Sequence, residues 1–230
     1  MTRCSIENVC HLSDTRDIKA SGKRDFFMHN HALTNDQQAP EDYLRSRTYA
    51  LLSALFARTP TTDLLAPLIT LDIDEQAGPL AEGWSGMADA AVRSEQAGHE
   101  ALDIEYHDLF IGIGRGELMP YGSWYQTGFL MGRPLVKLRE DLKVLGLERD
   151  AAVYEPEDHI SALFDSMAIL SGPDGVSVAG QRGFFNDHLA SWVERFMQDL
   201  QKAKSAVFYR SVGAFAERFI VAEKQYLEMA

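Results

Sequence analysis

The 230-residue chain is long enough for one large domain or two small ones, and its 46% hydrophobic content can supply a core. A formal charge of −12 argues against a nucleic-acid partner, whose phosphates it would repel, and is compatible with a basic peptide. No apolar run approaches the roughly twenty residues of a membrane span, and residues 1–30 lack both the apolar stretch of a secretory signal and a paired-arginine export motif. The cytoplasm is therefore the expected compartment.

Residues 1–36 are polar and without period, and they read as an extension free to be disordered, ahead of one domain over 37–230. Cys4 and Cys10 lie in that extension with no metal-ligand spacing around them, so they imply neither a disulfide scaffold nor a metal site. Order is expected from Pro40-Glu41-Asp42, a proline and acids suited to a first helical turn. Leu44, Thr48, Leu51, Leu52, Leu55 and Phe56 then mark one helical face. Thr59-Pro60 stops this helix and can cap the next, which carries Leu64, Leu65, Leu68 and Ile69.

Gly78-Pro79 and Gly83 break the chain before a helix over roughly 85–96. Another helix runs from about His99, with Leu102, Tyr106, Leu109 and Ile113 on one stripe, into the glycine-rich loop 112–123. Leu135, Leu138, Leu142 and Leu145 mark a further helix ending at Gly146. Pro156 and Glu157 read as the start of the next, which carries Ile160, Leu163, Phe164 and Met167. Two long helices close the chain, one bearing Phe185, Leu189, Trp192, Phe196 and Leu200, the other Phe208, Val212, Phe215, Phe219 and Tyr226. No segment alternates with period two for long enough to be a strand. The class is all-α: one compact multi-helix domain, its halves joined by a hinge near residues 146–155.

Catalytic chemistry finds little support. There is no Gly-x-Ser-x-Gly nucleophile, no Glu-x-x-His ligand pair and no His-Glu-x-x-His. His188 falls on an apolar stripe and reads as a satisfied core histidine. Gly112-Ile113-Gly114-Arg115-Gly116 could cradle a phosphate, but no lysine follows at P-loop spacing and a helix, not a strand, precedes it. Glu155-Pro156-Glu157-Asp158-His159 is either a helix start or a binding site. The aromatics of Pro120-Tyr121-Gly122-Ser123-Trp124-Tyr125 are either core or anchors for a peptide. An enzyme or nucleotide hydrolase working through the glycine loop and the Glu155–His159 cluster is the alternative to a non-catalytic binding protein.

Four motifs in order resemble the TorD/DmsD family of redox-enzyme maturation chaperones: Tyr106-x-x-Leu109-Phe110 before the glycine loop, Pro120-Tyr121-x-Ser123-x-Tyr125, Glu155 to His159, and Phe184-Phe185-Asn186-Asp187-His188-Leu189-x-x-Trp192. The resemblance spans about Pro40 to Tyr226. It implies an all-helical cytoplasmic chaperone that binds a molybdoenzyme precursor, at its twin-arginine leader or its apo catalytic subunit, and assists cofactor insertion before export. It implies a peptide-binding surface containing Asp158 and His159, with Pro120, Tyr121, Ser123 and Tyr125 opposite and Glu155, Pro156, Trp124, Tyr106 and Phe110 around them. It also implies a monomer or a domain-swapped homodimer exchanging about the hinge. No cofactor or metal is expected; the weak guanine-nucleotide binding associated with the family has no supporting motif here.

Overall fold

The computed structural model describes residues 18–20, 40–71, 73 and 78–229. Ten α-helices account for most of them: α1 (Pro40–Ala57), α2 (Thr62–Ile69), α3 (Ala81–Ala97), α4 (His99–Tyr106), α5 (Gly122–Thr127), α6 (Arg133–Val144), α7 (Ile160–Leu170), α8 (Val178–His188), α9 (Val193–Lys202) and α10 (Phe208–Met229). The all-α reading therefore holds. Two three-residue strands, too short for any period to announce them, pair antiparallel: β1 (Ile18–Ala20) and β2 (Leu147–Arg149). The extension expected over 1–36, with Cys4 and Cys10, lies outside the described residues except for β1.

The apolar stripes explain the packing. α1 lies along α7, and α10 lies against α9 and α3. Phe56 sits at the centre, with the rings of Phe110, Phe164, Phe196 and Tyr209 all about 6 Å from it. The hydroxyls of Tyr106 and Tyr209 donate to the carbonyls of Phe56 and Leu55, so the last turn of α1 finds its acceptors' partners inside the core. Polar ties join distant elements. Arg45 is buried and donates to Glu223 at 2.6 Å, Asp42 at 2.7 Å and Gln181 at 2.9 Å. Glu105 accepts the backbone N–H groups of Val207, Phe208 and Tyr209, capping α10 from another helix. β1 is tied in by Ile18, which is fully buried and whose N–H donates to Asp165 at 2.8 Å.

Several local expectations are corrected. α2 is capped by Thr61, not Thr59, and Leu44 is exposed. Gly83 lies within α3, where a Cβ would stand 3.1 Å from the Phe215 ring; it permits close helix packing and breaks nothing. The helix from His99 gives way at His107–Ile111 to one π-helical turn, whose extra residue shifts the stripe and leaves Ile113 fully exposed. The helix expected from Pro156 begins at Ile160, because the Pro156 carbonyl accepts the His159 N–H in a turn and His159 caps α7. The helix expected through Phe185–Leu200 is broken at residues 189–192, where the Trp192 indole N–H takes the terminal carbonyl of His188 at 2.8 Å.

Candidate peptide-binding site

The Pro-aromatic and Glu-Pro-Glu-Asp-His segments meet. Tyr121 and His159 form an isolated antiparallel bridge, with Ile160 N–H donating to the Pro120 carbonyl and Gly122 N–H to the Asp158 carbonyl. Asp158 reinforces the joint by accepting the Ser123 N–H at 2.8 Å at the start of α5. Asp158 Oδ1 and Ser123 Oγ are buried without a hydrogen-bond partner among the described residues. Gly122 allows a close approach here: a Cβ would sit 3.2 Å from the Trp192 indole nitrogen.

Burial sorts the expected site residues into two groups. Pro120, Ser123, Asp158 and His159 are buried and form the joint itself. Tyr106 turns into the core, and Phe110 packs edge-on between it and Tyr209. Tyr121, Trp124, Tyr125 and Pro156 are half-buried, and Glu155 is exposed. These form the surface a ligand would meet. The Tyr121 hydroxyl donates to Glu155 at 2.5 Å, and its ring meets the His159 imidazole edge-on at 5.1 Å. Glu157 is already engaged by Arg139 at 2.8 Å, with Arg149 at 3.5 Å.

The electrostatics follow from this placement. Burial pushes the His159 imidazole down to about 4, so it is neutral, and its Nδ1 lies 2.6 Å from Ser161 Oγ. Burial, then the neighbouring Glu155, raises the Tyr121 hydroxyl; burial and Asp199 raise that of Tyr125. Both phenols are hydrogen-bond donors at neutral pH. Burial alone would raise the Glu157 carboxyl, but Arg139 and Arg149 hold it below its usual value.

Beyond α5 lies a cavity of about 440 Å³, lined by Arg115, Glu117, Leu118, Met119, Trp124, Tyr125, Gly128, Arg195 and Asp199. The Arg115 guanidinium lies 5.2 Å from the Trp124 ring centre and that of Arg195 5.9 Å from Tyr125. Asp199 accepts the Tyr125 hydroxyl, while Glu117 accepts the N–H groups of Lys204 and Ser205. Arg115, Glu117, Arg195 and Asp199 were not legible as site residues; the i, i+4 spacing of Arg195 and Asp199 on α9 is the one signal that could have linked two of them.

The glycine loop has a structural explanation. A Cβ on Gly112, at φ 62°, would overlap the Arg115 carbonyl, and one on Gly116 would lie 2.6 Å from the Leu109 oxygen. Glu117 and Leu118 direct their N–H groups back to the Asp108 and Leu109 carbonyls. Asp141, Asp187 and His188 offer ligand atoms within 4.8 Å of one another. The Lys137 ammonium already lies 2.6 Å from Asp141 and 2.8 Å from Asp187, and His188 Nε2 lies 2.8 Å from Asp141, as expected of a satisfied core histidine. No helix among the described residues is long and apolar enough to cross a membrane.

Residues 74–198 match the family model described as nitrate reductase delta subunit. The chaperone protein TorD of Vibrio cholerae serotype O1 (strain ATCC 39541) is 27% identical over 169 residues, covering 63% of this chain and 77% of that protein. TorD of Vibrio atlanticus is 27% identical over 202 residues, covering 80% and 94%. A crystal structure of a proposed redox enzyme maturation protein from Archaeoglobus fulgidus covers 86% of this chain and 99% of its own at 22% identity, with a TM-score of 0.47. The chain belongs to the nitrate reductase delta subunit family, that of the TorD chaperones.

Proposed function

We propose that this protein is a non-catalytic cytoplasmic chaperone for a molybdoenzyme precursor, which it holds by its twin-arginine leader or its apo catalytic subunit until the cofactor is inserted. The observation that carries this reading is the Tyr121–His159 bridge, which brings both segments of the expected peptide surface to one place. The neutral, buried His159 and the Asp158–Ser123 bond fix the joint, and the joint fixes Tyr121 and Glu155 at the surface. A carboxylate has about four acceptor positions, so Glu155 can take a guanidinium while keeping Tyr121. Trp124 and Tyr125 offer aromatic walls for apolar residues. A monomer suffices for this site, and exchange about residues 146–155 would give a homodimer carrying two copies of it.

The test is calorimetric titration of a twin-arginine leader peptide. Glu155→Gln should weaken binding about tenfold, as should replacing both arginines of the peptide by glutamine, with the helical circular dichroism unchanged. Added salt should lower the parent's affinity and have less effect on Glu155→Gln. Parent-like affinity in Glu155→Gln and in Asp158→Ala would place the leader elsewhere.

A further inference from the structure

The break between α8 and α9 changes what the His188 carbonyl can accept. In an unbroken helix it would take the backbone N–H of Trp192, four residues on. Here the Trp192 N–H turns to the Leu189 carbonyl instead, and Trp192 leaves helical geometry at φ −144° and ψ −26°. The freed His188 carbonyl accepts the Trp192 indole N–H at 2.8 Å. His188 is itself fixed: its Nε2 lies 2.8 Å from Asp141 on α6, and its ring lies 4.8 Å from that of Phe184. The indole is therefore pinned in place.

Its face meets α5. A Cβ on Gly122 would stand 3.2 Å from the indole nitrogen and 3.4 Å from the neighbouring Cε2, and the Tyr125 ring centre lies 5.4 Å from that of Trp192. α5 has six residues and is held from two sides. Its start hangs from the joint, where Gly122 and Ser123 direct their N–H groups to Asp158. Its other side rests on Trp192 and α9, where Phe196 meets the Tyr125 ring edge-on at 5.7 Å and Asp199 accepts the Tyr125 hydroxyl at 3.1 Å. Tyr121 and Tyr125, the half-buried rings of the peptide surface, are carried between these supports.

We infer that Trp192 is a positioning residue for the peptide surface: its indole, pinned by the His188 carbonyl, sets how far α5 stands from α9 and so where Tyr121 and Tyr125 meet a ligand. The inference rests on the leader-binding reading above. His188 and Trp192 are 5% and 2% exposed, so they act through α5 and present no contact of their own. This gives the Phe184–Trp192 motif a part in the site. A methyl at position 122 cannot push a pinned indole aside, so α5 must give way by a few tenths of an ångström. A phenyl ring at position 192 has no N–H for His188 and no second ring, so it can yield to that methyl.

The experiment is a double-mutant cycle read by fluorescence anisotropy of a labelled synthetic peptide, an Arg-Arg pair followed by four leucines. Gly122→Ala should weaken binding about tenfold, and Trp192→Phe about threefold. In the Trp192→Phe background, Gly122→Ala should change affinity by less than about twofold. Where Trp192→Phe loses its helical circular dichroism, Trp192→Leu takes its place. Leu68→Ala, in α2 against α3, should lower the urea midpoint at least as far and leave binding unchanged. Equal losses from Gly122→Ala in both backgrounds, or parent-like binding by Gly122→Ala, would overturn the inference and leave the leader-binding reading standing. Weakened binding by Leu68→Ala to the same degree would assign the effect to stability and overturn it as well. Failure of the parent to bind the peptide would overturn both.

Discussion

The cap at His159 makes the stability of this protein depend on acid in a way that can be calculated. In the folded chain burial holds the imidazole at about 4, whereas an unfolded histidine titrates near 6.5. Above pH 6.5 the ring is neutral in both states and contributes no pH dependence. As pH falls below 6.5 the unfolded chain takes a proton that the folded chain refuses, so stability is lost progressively until pH reaches the folded value of about 4. At about 1.4 kcal/mol per pH unit, the loss amounts to about 2 kcal/mol between pH 7 and pH 5 and about 3 kcal/mol by pH 4. His159→Asn supplies a side chain favoured at helix N-caps and does not titrate. Urea unfolding of parent and variant at pH 7 and pH 5, at one ionic strength, should therefore give the parent an extra loss of about 2 kcal/mol. The His188 imidazole is also lowered, by burial opposed by Asp141, but it is common to both proteins and cancels in the difference. Equal losses, within about 0.5 kcal/mol, would refute the assignment of a buried neutral ring at this cap.

Three further substitutions test the packing. Glu105→Ala leaves three N–H groups at the start of α10 without their acceptor and should cost about 3 kcal/mol or more, read as a lowered urea midpoint. Gly116→Ala drives a methyl into the Leu109 carbonyl at 2.6 Å and should cost more than about 2 kcal/mol, whereas Gly114→Ala, at φ 86° in open space, should cost about 1 kcal/mol. Thermal melts of the two glycine variants should differ accordingly.

The helices were legible wherever three-and-four spacing coincided with burial. Leu51, Leu52, Leu55 and Phe56 in α1, and Phe208, Val212, Phe215 and Phe219 in α10, are all buried. The same logic concealed the break at residues 189–192. Leu189 and Trp192 within it are as buried as Phe185 and Phe196 on either side, so the stripe continues where the helix does not. Proline after an acid suggested a helix start at Pro156, but the local turn claimed the Pro156 carbonyl and passed the cap to His159. At the site, both halves of the joint were visible as motifs. The cavity was not, because Arg115 and Arg195 come from a loop and a helix eighty positions apart and only the fold relates them.

The β1–β2 pair bears on how the chain reaches this state. Ile18 leaves synthesis long before β2 exists, and its acceptor Asp165 follows 147 residues later. Contacts across such separations form slowly, since the intervening chain must first be brought to order. β1 is thus expected among the last elements to be placed. Burial of Ile18 requires that α7 and β2 have taken up position together, since it bonds to Asp165 in one and pairs with Arg149 in the other.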